Sequence, residues 1–177
     1  MIIWINGAFG SGKTTIANLL REKLTNSYIY DPENVGYFLW NNEPEEIKNR
    51  EDFQQEPLWR IINYLVLKNI YDKFSGNIIV PMTLANFDYY NEIIGKLKND
   101  GVTISHFVLS ASREVLLSRL EKRGDGADSW PAAQIDRCVT SFNSGKFSEI
   151  IFTDDKTPDE IATYILENIN ERNTLNS

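Results

Sequence analysis

An uninterrupted run of apolar residues, Ile2 to Ile5, lies at the start of the chain. Runs of this kind are typical of strands that are buried on both faces of a parallel sheet. Four more segments of similar length and apolar character follow along the sequence. The pattern predicts five strands, at residues 2–5, 27–30, 77–82, 102–109 and 150–152.

Between these strands, the apolar positions recur with the period of a helix. Ile16, Leu20 and Leu24 form one stripe after a glycine-rich turn, and Pro57 begins a long segment with a broad apolar face. Other helices are predicted at residues 89–97, 112–123 and 131–142, with a last one opening at 157–160, whereas 32–54 is predicted to be irregular or short-helical. Strands that alternate with helices indicate a doubly wound, parallel α/β fold.

The length and the charge of the chain narrow the possible classes of protein. A length of 177 residues suits a single domain, which we expect to span residues 1–177. A formal charge of −7 argues against a general binder of nucleic acid. Cys138 is the only cysteine, which excludes an internal disulfide and a cysteine-based zinc cluster. Since neither a membrane-helix pattern nor a signal-peptide pattern is present, we expect a cytoplasmic protein.

Residues 7–14 match the phosphate-loop pattern G-x-x-x-x-G-K-[ST] without a mismatch. Backbone N–H groups and the positive end of the following helix bind phosphate oxygens in such loops. We expect Lys13 to reach the β- and γ-phosphates, and the Thr14 hydroxyl to bind Mg²⁺. The predicted nucleoside triphosphate site comprises Gly7, Ala8, Phe9, Gly10, Ser11, Gly12, Lys13, Thr14 and Thr15.

Two features distinguish this chain from the larger classes of P-loop protein. It has no Asn-Lys-x-Asp motif of the kind with which GTPases bind guanine, and its third strand leads into Thr83 rather than an acidic residue. Small P-loop kinases instead close an arginine-bearing lid over the phosphates. The sequence therefore favours the nucleotide-kinase and shikimate-kinase type of P-loop fold.

Three arginines are candidates for that lid, which we place at about residues 119–137. Arg119 and Arg123 are four residues apart and share one helix face, and Arg137 lies on the next helix. We predict that all three are catalytic because they would neutralise charge on the transferred phosphoryl group. A solvated basic face is the alternative interpretation for each of them.

A carboxylate follows the second predicted strand, at the edge of the sheet that faces the phosphate loop. Asp31 could accept the proton of a substrate hydroxyl or hold a metal-bound water, so it is both a catalytic and a metal-binding candidate. An Asp-Pro turn is the structural alternative for this residue. Glu33 is a weaker second candidate.

Aromatic residues are concentrated between the second and third strands, where small P-loop kinases bind their acceptor. We predict that residues 32–60 form this region, in a pocket suited to a large molecule with planar or sugar rings. Core packing explains any single aromatic residue equally well. The substrate-binding candidates are Trp40, Phe53, Trp59 and Arg60, with Trp130 beside the lid as a cover.

His106, Cys138 and the loop at residues 153–156 provide little information about function. His106 lies within a predicted strand, so we expect a structural role, and Cys138 is predicted to be a buried thiol. The loop at residues 153–156 is expected to pass the nucleotide base, but its sequence does not distinguish ATP from GTP.

Several segments outside the phosphate loop resemble one named family, the tunicamycin-resistance ATP-binding proteins of the TmrB type. The matching segments are residues 1–14, 30–33 (Tyr-Asp-Pro-Glu), 57–60 (Pro-Leu-Trp-Arg), 79–83 (Ile-Val-Pro-Met-Thr), 91–95 (Asn-Glu-Ile-Ile-Gly), 129–130 (Ser-Trp) and 134–138 (Gln-Ile-Asp-Arg-Cys). The resemblance extends to about residue 165. It implies an ATP-binding protein that protects bacteria from a nucleoside antibiotic composed of uracil, sugars and an acyl chain. More distantly, the arrangement is similar to chloramphenicol phosphotransferase, shikimate kinase and gluconate kinase.

Members of that family can continue into a basic, amphipathic tail that associates with membranes. This chain stops at Leu175-Asn176-Ser177 without a cationic stripe, so we expect no membrane association.

Three functions remain open at this stage. The first is an ATP- and Mg²⁺-dependent kinase that phosphorylates a hydroxyl of an antibiotic-like small molecule. The second is a protein that holds the drug in an ATP-dependent manner without modifying it. The third is an enzyme whose substrate is an unrelated metabolite. The sequence leaves the oligomeric state undecided.

Overall fold

A five-stranded parallel sheet lies at the centre of the computed structural model, which describes residues 1–48, 51–147 and 149–175. The strands are β1 (Ile2–Gly7), β2 (Ser27–Ile29), β3 (Asn77–Pro81), β4 (Ile104–Ser110) and β5 (Ile150–Phe152). Their order is β2-β3-β1-β4-β5, and each neighbouring pair is parallel. The predicted doubly wound arrangement is thereby confirmed. The chain end that bears on membrane association includes residues 176–177, which lie outside the described residues.

Helices connect the strands and cover the sheet. They are α1 (Lys13–Lys23), α2 (Glu33–Asn42), α3 (Pro57–Lys73), α4 (Phe87–Tyr90), α5 (Lys96–Asn99), α6 (Arg113–Arg123), α7 (Trp130–Ala133), α8 (Ile135–Phe142) and α9 (Pro158–Leu175). A 3₁₀ turn, Phe53–Gln55, precedes α3, and a π-helical turn, Asn91–Gly95, joins α4 to α5. Within residues 1–48, 51–147 and 149–175, no helix combines the length and the apolar character needed to cross a membrane.

The two faces of the sheet are buried by different helices. Trp4 of β1 belongs to a core cluster that includes Trp59 of α3. Ile5 of β1 belongs to a second cluster with Leu20 of α1 and Ile165 of α9. Burying an aliphatic or aromatic side chain of this size stabilises a fold by about 1.5–3 kcal/mol. The sheet therefore provides a rigid base for the loops at its edge.

The order of the strands places one loop at the centre of that edge. After β1 the chain crosses to β2 on one side of the sheet, and after β3 it crosses to β4 on the other side of β1. Parallel sheets bind ligands at such a switch point, outside the carboxyl ends of the strands. Residues 7–14, which follow β1, lie at this point.

Three predicted segments differ from the observed ones. The helix expected over residues 89–97 consists of α4, a π-helical turn and α5. Residues 33–42 form a regular helix, although this region was expected to be irregular or short-helical. Its N-cap residue is Pro32, which makes no side-chain cap hydrogen bond, and Leu39 and Gly36 are buried on its inner face, so tertiary packing contributes to its stability. The helix expected over residues 131–142 is instead two helices, α7 and α8, separated at Gln134.

Candidate functional site

The phosphate loop follows β1 and leads into α1, and its backbone requires glycine at two positions in particular. Gly7 has a φ of +142°, and a Cβ there would lie 2.5 Å from the Leu109 carbonyl oxygen. Gly10 has a φ of +80°, and a Cβ there would lie 2.7 Å from the Leu116 carbonyl oxygen. Larger residues would therefore push the loop away from β4 and α6.

The ammonium group of Lys13 lies over this loop. Its Nζ donates hydrogen bonds to the carbonyl oxygens of Gly7, at 3.1 Å, and Ala8, at 2.9 Å. It also lies 5.5 Å from the centre of the Phe9 ring. Burial lowers the pKa of Lys13 to about 8. A negatively charged ligand in the loop would compensate this poorly solvated cation better than the two carbonyl groups do.

A buried hydroxyl in the same loop points to an anionic ligand. Ser11 Oγ is buried and has no hydrogen-bond partner among the described residues. A buried polar group without a partner costs about 1–3 kcal/mol, which a ligand oxygen would offset. Thr14 and Thr15 lie in the exposed first turn of α1, where the helix dipole favours negative charge. The loop thus has the geometry of a phosphate site.

A cleft of about 540 Å³ opens beside this loop, a volume within the range of small-molecule sites. It is lined by Gly10, Ser11, Gly12, Lys13, Thr14, Thr15, Ile16, Arg119, Arg123, Lys156, Pro158 and Ile161. The structure therefore brings two of the three predicted lid arginines to the phosphate loop. Lys156, from the loop expected beside the nucleotide base, lines the same cleft.

The three arginines have different partners. Arg119 donates to the side-chain oxygen of Thr153 at 3.1 Å and to its carbonyl oxygen at 3.0 Å, which ties α6 to the loop after β5. Arg123 pairs with Asp125 at 2.6 Å and remains largely exposed. Arg137 does not line the cleft, and its guanidinium lies 3.5 Å from the Asp52 carboxylate. Arg119 and Arg123 thus line the cleft together, whereas Arg137 contacts Asp52 of the predicted acceptor region.

The two carboxylates after β2 occupy different environments. Asp31 Oδ1 accepts a hydrogen bond from the Glu33 backbone N–H at 2.9 Å, so Asp31 forms the turn that starts α2. Burial and the charge of Asp31 raise the pKa of Glu33, and the charges of Lys13 and Arg123 oppose this rise. Glu33 therefore lies within electrostatic reach of both cations. Asp31 holds the turn from which Glu33 extends.

An aromatic cluster lies between α2 and the 3₁₀ turn. The ring centres of Trp40 and Phe53 are 5.2 Å apart, and those of Tyr37 and Phe53 are 6.3 Å apart. Trp59 lies 5.5 Å from Phe53, but its side chain is fully buried and donates to the Pro32 carbonyl oxygen. Among the predicted substrate-binding residues, Trp40 and Phe53 are partly exposed, whereas Trp59 supports them from the core.

The other two substrate-binding candidates lie apart from this cluster. Arg60 is buried, pairs with Glu92 at 2.6 Å and lies 4.2 Å from the centre of the Tyr89 ring, so its charge is already compensated within the protein. Trp130 has 43% of its surface exposed, and its ring meets Phe9 of the phosphate loop edge-on at 5.2 Å. The proposed lid and the loop are therefore in direct contact.

The family of the chain follows from comparison with known proteins. A sequence model described as an AAA domain matches residues 3–134, about three quarters of the chain. The chain belongs to this AAA domain family. A guanylate kinase from Mycoplasmoides gallisepticum is 28% identical to this AAA domain protein over 195 residues, covering 94% of the chain and 92% of the kinase.

Solved structures add to this assignment. The tunicamycin resistance protein of Deinococcus radiodurans superposes with a TM-score of 0.80 and 29% identity, covering 95% of this chain and 94% of that one. A gluconokinase from Sinorhizobium meliloti superposes with a TM-score of 0.68 and 15% identity, covering 99% of this chain and 96% of the gluconokinase. At this identity the likeness shows the fold alone. The P-loop NTPase fold and the resemblance to tunicamycin-resistance proteins are confirmed. This AAA domain protein is a P-loop kinase-like protein.

Sequence reasoning missed a set of polar residues behind the loop. Asn6 Oδ1 accepts from the backbone N–H groups of Gly7, at 2.9 Å, and Leu84, at 2.8 Å. The Thr83 hydroxyl donates to the Gly7 carbonyl oxygen at 2.8 Å. Thr83 was noted as a non-acidic residue after the third strand and as part of the segment 79–83, but no local pattern links it to a loop 76 residues away. The AAA domain protein thus holds its phosphate loop from β1 and from the segment after β3.

The remaining two predictions concern buried residues. His106 Nε2 lies 3.1 Å from Asn6 Nδ2, and burial lowers the pKa of His106 to about 3, so the ring is neutral. Because Nδ2 of an amide can only donate, His106 Nε2 accepts this hydrogen bond. Cys138 is buried, as expected, and burial raises the pKa of its thiol.

Proposed function

We propose that this protein is an ATP-dependent phosphotransferase that phosphorylates a hydroxyl of a nucleoside antibiotic or a related small molecule. One observation carries the proposal. Glu33, at the start of α2, lies within electrostatic reach of Lys13 and Arg123 and accepts a hydrogen bond at 3.5 Å from Tyr37 of the aromatic cluster. Phosphoryl transfer needs cations at the phosphates, a proton acceptor and a binding surface for the acceptor molecule, and these residues could provide all three.

ATP would bind across residues 7–15, with its base towards residues 153–156. Lys13 would turn from the carbonyl oxygens to the β- and γ-phosphates, and Ser11 would gain a partner for its hydroxyl. The exposed Thr14 hydroxyl is an oxygen ligand of the kind that Mg²⁺ prefers, alongside phosphate oxygens and water. Asp31 is the second candidate to hold the ion, through one of its waters. When bound, Mg²⁺ would neutralise charge on the phosphates.

The acceptor hydroxyl would attack the γ-phosphorus. A new oxygen–phosphorus bond forms, the bond between the γ-phosphorus and the bridging oxygen breaks, and ADP leaves with the electron pair of that bond. The hydroxyl proton passes to a carboxylate after β2, Asp31 or Glu33. Arg119 and Arg123 compensate charge that develops on the phosphoryl group. Arg137 would join them if the lid moves towards the cleft.

The acceptor would lie against the aromatic cluster, with Trp40 and Phe53 in contact with its rings and Trp130 as a cover. Trp59 and Arg60 contribute to this region from beneath, because both are buried in this structure. The name of the Deinococcus radiodurans structure supports tunicamycin as the first acceptor to test. The aromatic surface suits its uracil and sugar rings.

A second candidate function is ATP-dependent binding of the drug without modification. It is favoured by the segment after β3, which has Thr83 rather than an acidic residue, and the Thr83 hydroxyl donates to the Gly7 carbonyl oxygen. A site without that acid would activate a nucleophile weakly. ATP would then act only by closing the lid over the drug.

Release of ADP distinguishes the two functions. With Mg·ATP in excess, a kinase will release ADP in amounts that match the tunicamycin added. A binder will release ADP at a slow rate that tunicamycin does not raise. Lys13→Ala serves as the control, since it removes the cation that both functions need at the phosphates.

A further inference from the structure

A series of buried hydrogen bonds joins the phosphate loop to the predicted acceptor region. The Thr83 hydroxyl donates to the Gly7 carbonyl oxygen at 2.8 Å, and Gln54 Nε2 donates to the Thr83 carbonyl oxygen at 2.9 Å. Both Thr83 and Gln54 are buried. The Gly7 carbonyl oxygen also accepts from Lys13 Nζ. A glutamine of the 3₁₀ turn thus lies two hydrogen bonds from the loop that binds phosphate.

The same glutamine is held on its other side by two charged residues. Its backbone N–H donates to Asp52 Oδ1 at 3.0 Å, and its carbonyl oxygen accepts from Arg60 Nη1 at 2.5 Å. The other carboxylate oxygen of Asp52 faces Arg137 of α8, at the end of the predicted lid. Gln54 therefore connects the acceptor region, the lid side of the molecule and the phosphate loop.

Breaking a link in this series is costly. A buried amide or carbonyl group that loses its partner is destabilised by about 1–3 kcal/mol, and more where neighbouring bonds polarise one another. A displacement of residues 52–54 will consequently carry Thr83 with it rather than break the bond. Thr83 in turn holds the Gly7 carbonyl oxygen, at the point where the loop starts.

We propose that Gln54 is a positioning residue that holds the phosphate loop in its nucleotide-binding shape from within the acceptor region. Its position sets the affinity for Mg·ATP, although no atom of Gln54 lines the nucleotide cleft. This proposal rests on the proposed function, because that function assigns acceptor binding to the region that contains Gln54. By linkage, an acceptor that shifts residues 52–54 changes nucleotide affinity, and nucleotide changes acceptor affinity by the same factor.

The test is the dissociation constant of Mg·ATP for four proteins: the wild type, Gln54→Met, Thr83→Val and the double variant. Methionine and valine keep the approximate shapes of the side chains and remove the hydrogen-bonding groups. We expect each single variant to weaken binding about tenfold. The dissociation constant of the double variant should not exceed that of the weaker-binding single variant, because both changes interrupt one series of bonds. Thr163→Val, at an exposed position of α9, should bind as the wild type does.

Thermal unfolding of each variant separates positioning from general destabilisation. If Gln54→Met melts earlier but binds Mg·ATP with the wild-type constant, Gln54 is structural only and the proposal is wrong. Additive losses in the double variant would also overturn it, since Gln54 and Thr83 would then act independently. If the wild type binds Mg·ATP but phosphorylates nothing, the proposed function fails, and the four dissociation constants still decide the role of Gln54.

Discussion

Lys13 is the residue whose protonation bears most directly on nucleotide binding. Burial lowers its pKa to about 8, so its amino group begins to lose charge near that pH in the free protein. Phosphate binds the charged form. We therefore predict that the affinity for Mg·ATP is nearly constant below about pH 8 and falls above it, by up to about tenfold for each pH unit. Calorimetric titration between about pH 7 and pH 9.5 measures this change.

Lys13→Met provides the control for that titration. It should bind Mg·ATP weakly at every pH and lack the decline above about pH 8. An unchanged wild-type affinity up to pH 9.5 would mean that Lys13 keeps its proton or does not contact the phosphates.

The two carboxylates after β2 allow a second prediction at the scale of residues. Asp31→Asn and Glu33→Gln should each lower the turnover of the proposed kinase by about 100-fold or more, since they disturb the acceptance of the hydroxyl proton. The KM for ATP should change far less than the turnover, because neither side chain lines the nucleotide cleft. Steady-state ADP release with tunicamycin provides both values.

Glu22→Gln, on the exposed surface of α1, is the matched control for the loss of one carboxylate. Its turnover should equal that of the wild type. If Asp31→Asn retains full turnover while Glu33→Gln does not, Asp31 serves only as the turn that starts α2. Full turnover in both variants would remove this region from the chemistry.

At the scale of elements, the packing of α2 on the 3₁₀ turn depends on a glycine. A Cβ at Gly36 would lie 2.5 Å from Phe53 Cδ1. We predict that Gly36→Ala lowers the free energy of unfolding by about 1–3 kcal/mol, as overpacked sites do. Adding Phe53→Val should recover part of this loss because the smaller side chain makes room. Urea unfolding of both variants tests the prediction.

Gly95→Ala is the comparison, because a Cβ there would approach only the Asn91 side chain, at 3.3 Å. Its free energy of unfolding should stay within about 0.5 kcal/mol of the wild type. Equal losses at Gly36 and Gly95 would show that the contact with Phe53 is not the cause.

Some elements of the fold were predictable from the sequence and others were not. The five strands and the phosphate loop were predictable because their signals are local: short apolar runs and a spaced glycine motif. Helix α2 was not predictable as a regular helix, since its stability depends on the tertiary packing of Gly36 and Leu39. Trp40 and Trp59 look alike in sequence, yet one is partly exposed and the other is fully buried. Gln54 and Thr83 were not predicted because their partners are distant along the chain.

At the scale of the whole molecule, a polar group inside the sheet links stability to pH. His106 of β4 accepts from Asn6 of β1 and has a pKa of about 3, below the ordinary 6.5, because it is buried. The unfolded chain takes up a proton below about pH 6.5, whereas the folded protein does so only near pH 3. The contribution of this neutral histidine is therefore present above pH 6.5 and is lost as the pH falls towards 3.

His106→Gln isolates this effect, because its amide oxygen can still accept from Asn6 while the group no longer titrates. Between about pH 6.5 and pH 4, we predict that the free energy of unfolding of the wild type falls more steeply than that of the variant. Chemical unfolding at several pH values measures both slopes. Parallel slopes would mean that His106 already titrates normally in the folded protein.

In the proposed function, a nucleotide site, a proton acceptor and an aromatic acceptor region act together at the carboxyl ends of the strands. This function requires the transfer of a phosphoryl group from ATP to the bound acceptor. Mass spectrometry of tunicamycin, incubated with Mg·ATP and either the wild type or Lys13→Ala, detects such a transfer. We predict a gain of one phosphoryl group with the wild type and none with Lys13→Ala. Unmodified tunicamycin after complete incubation with the wild type would contradict the account.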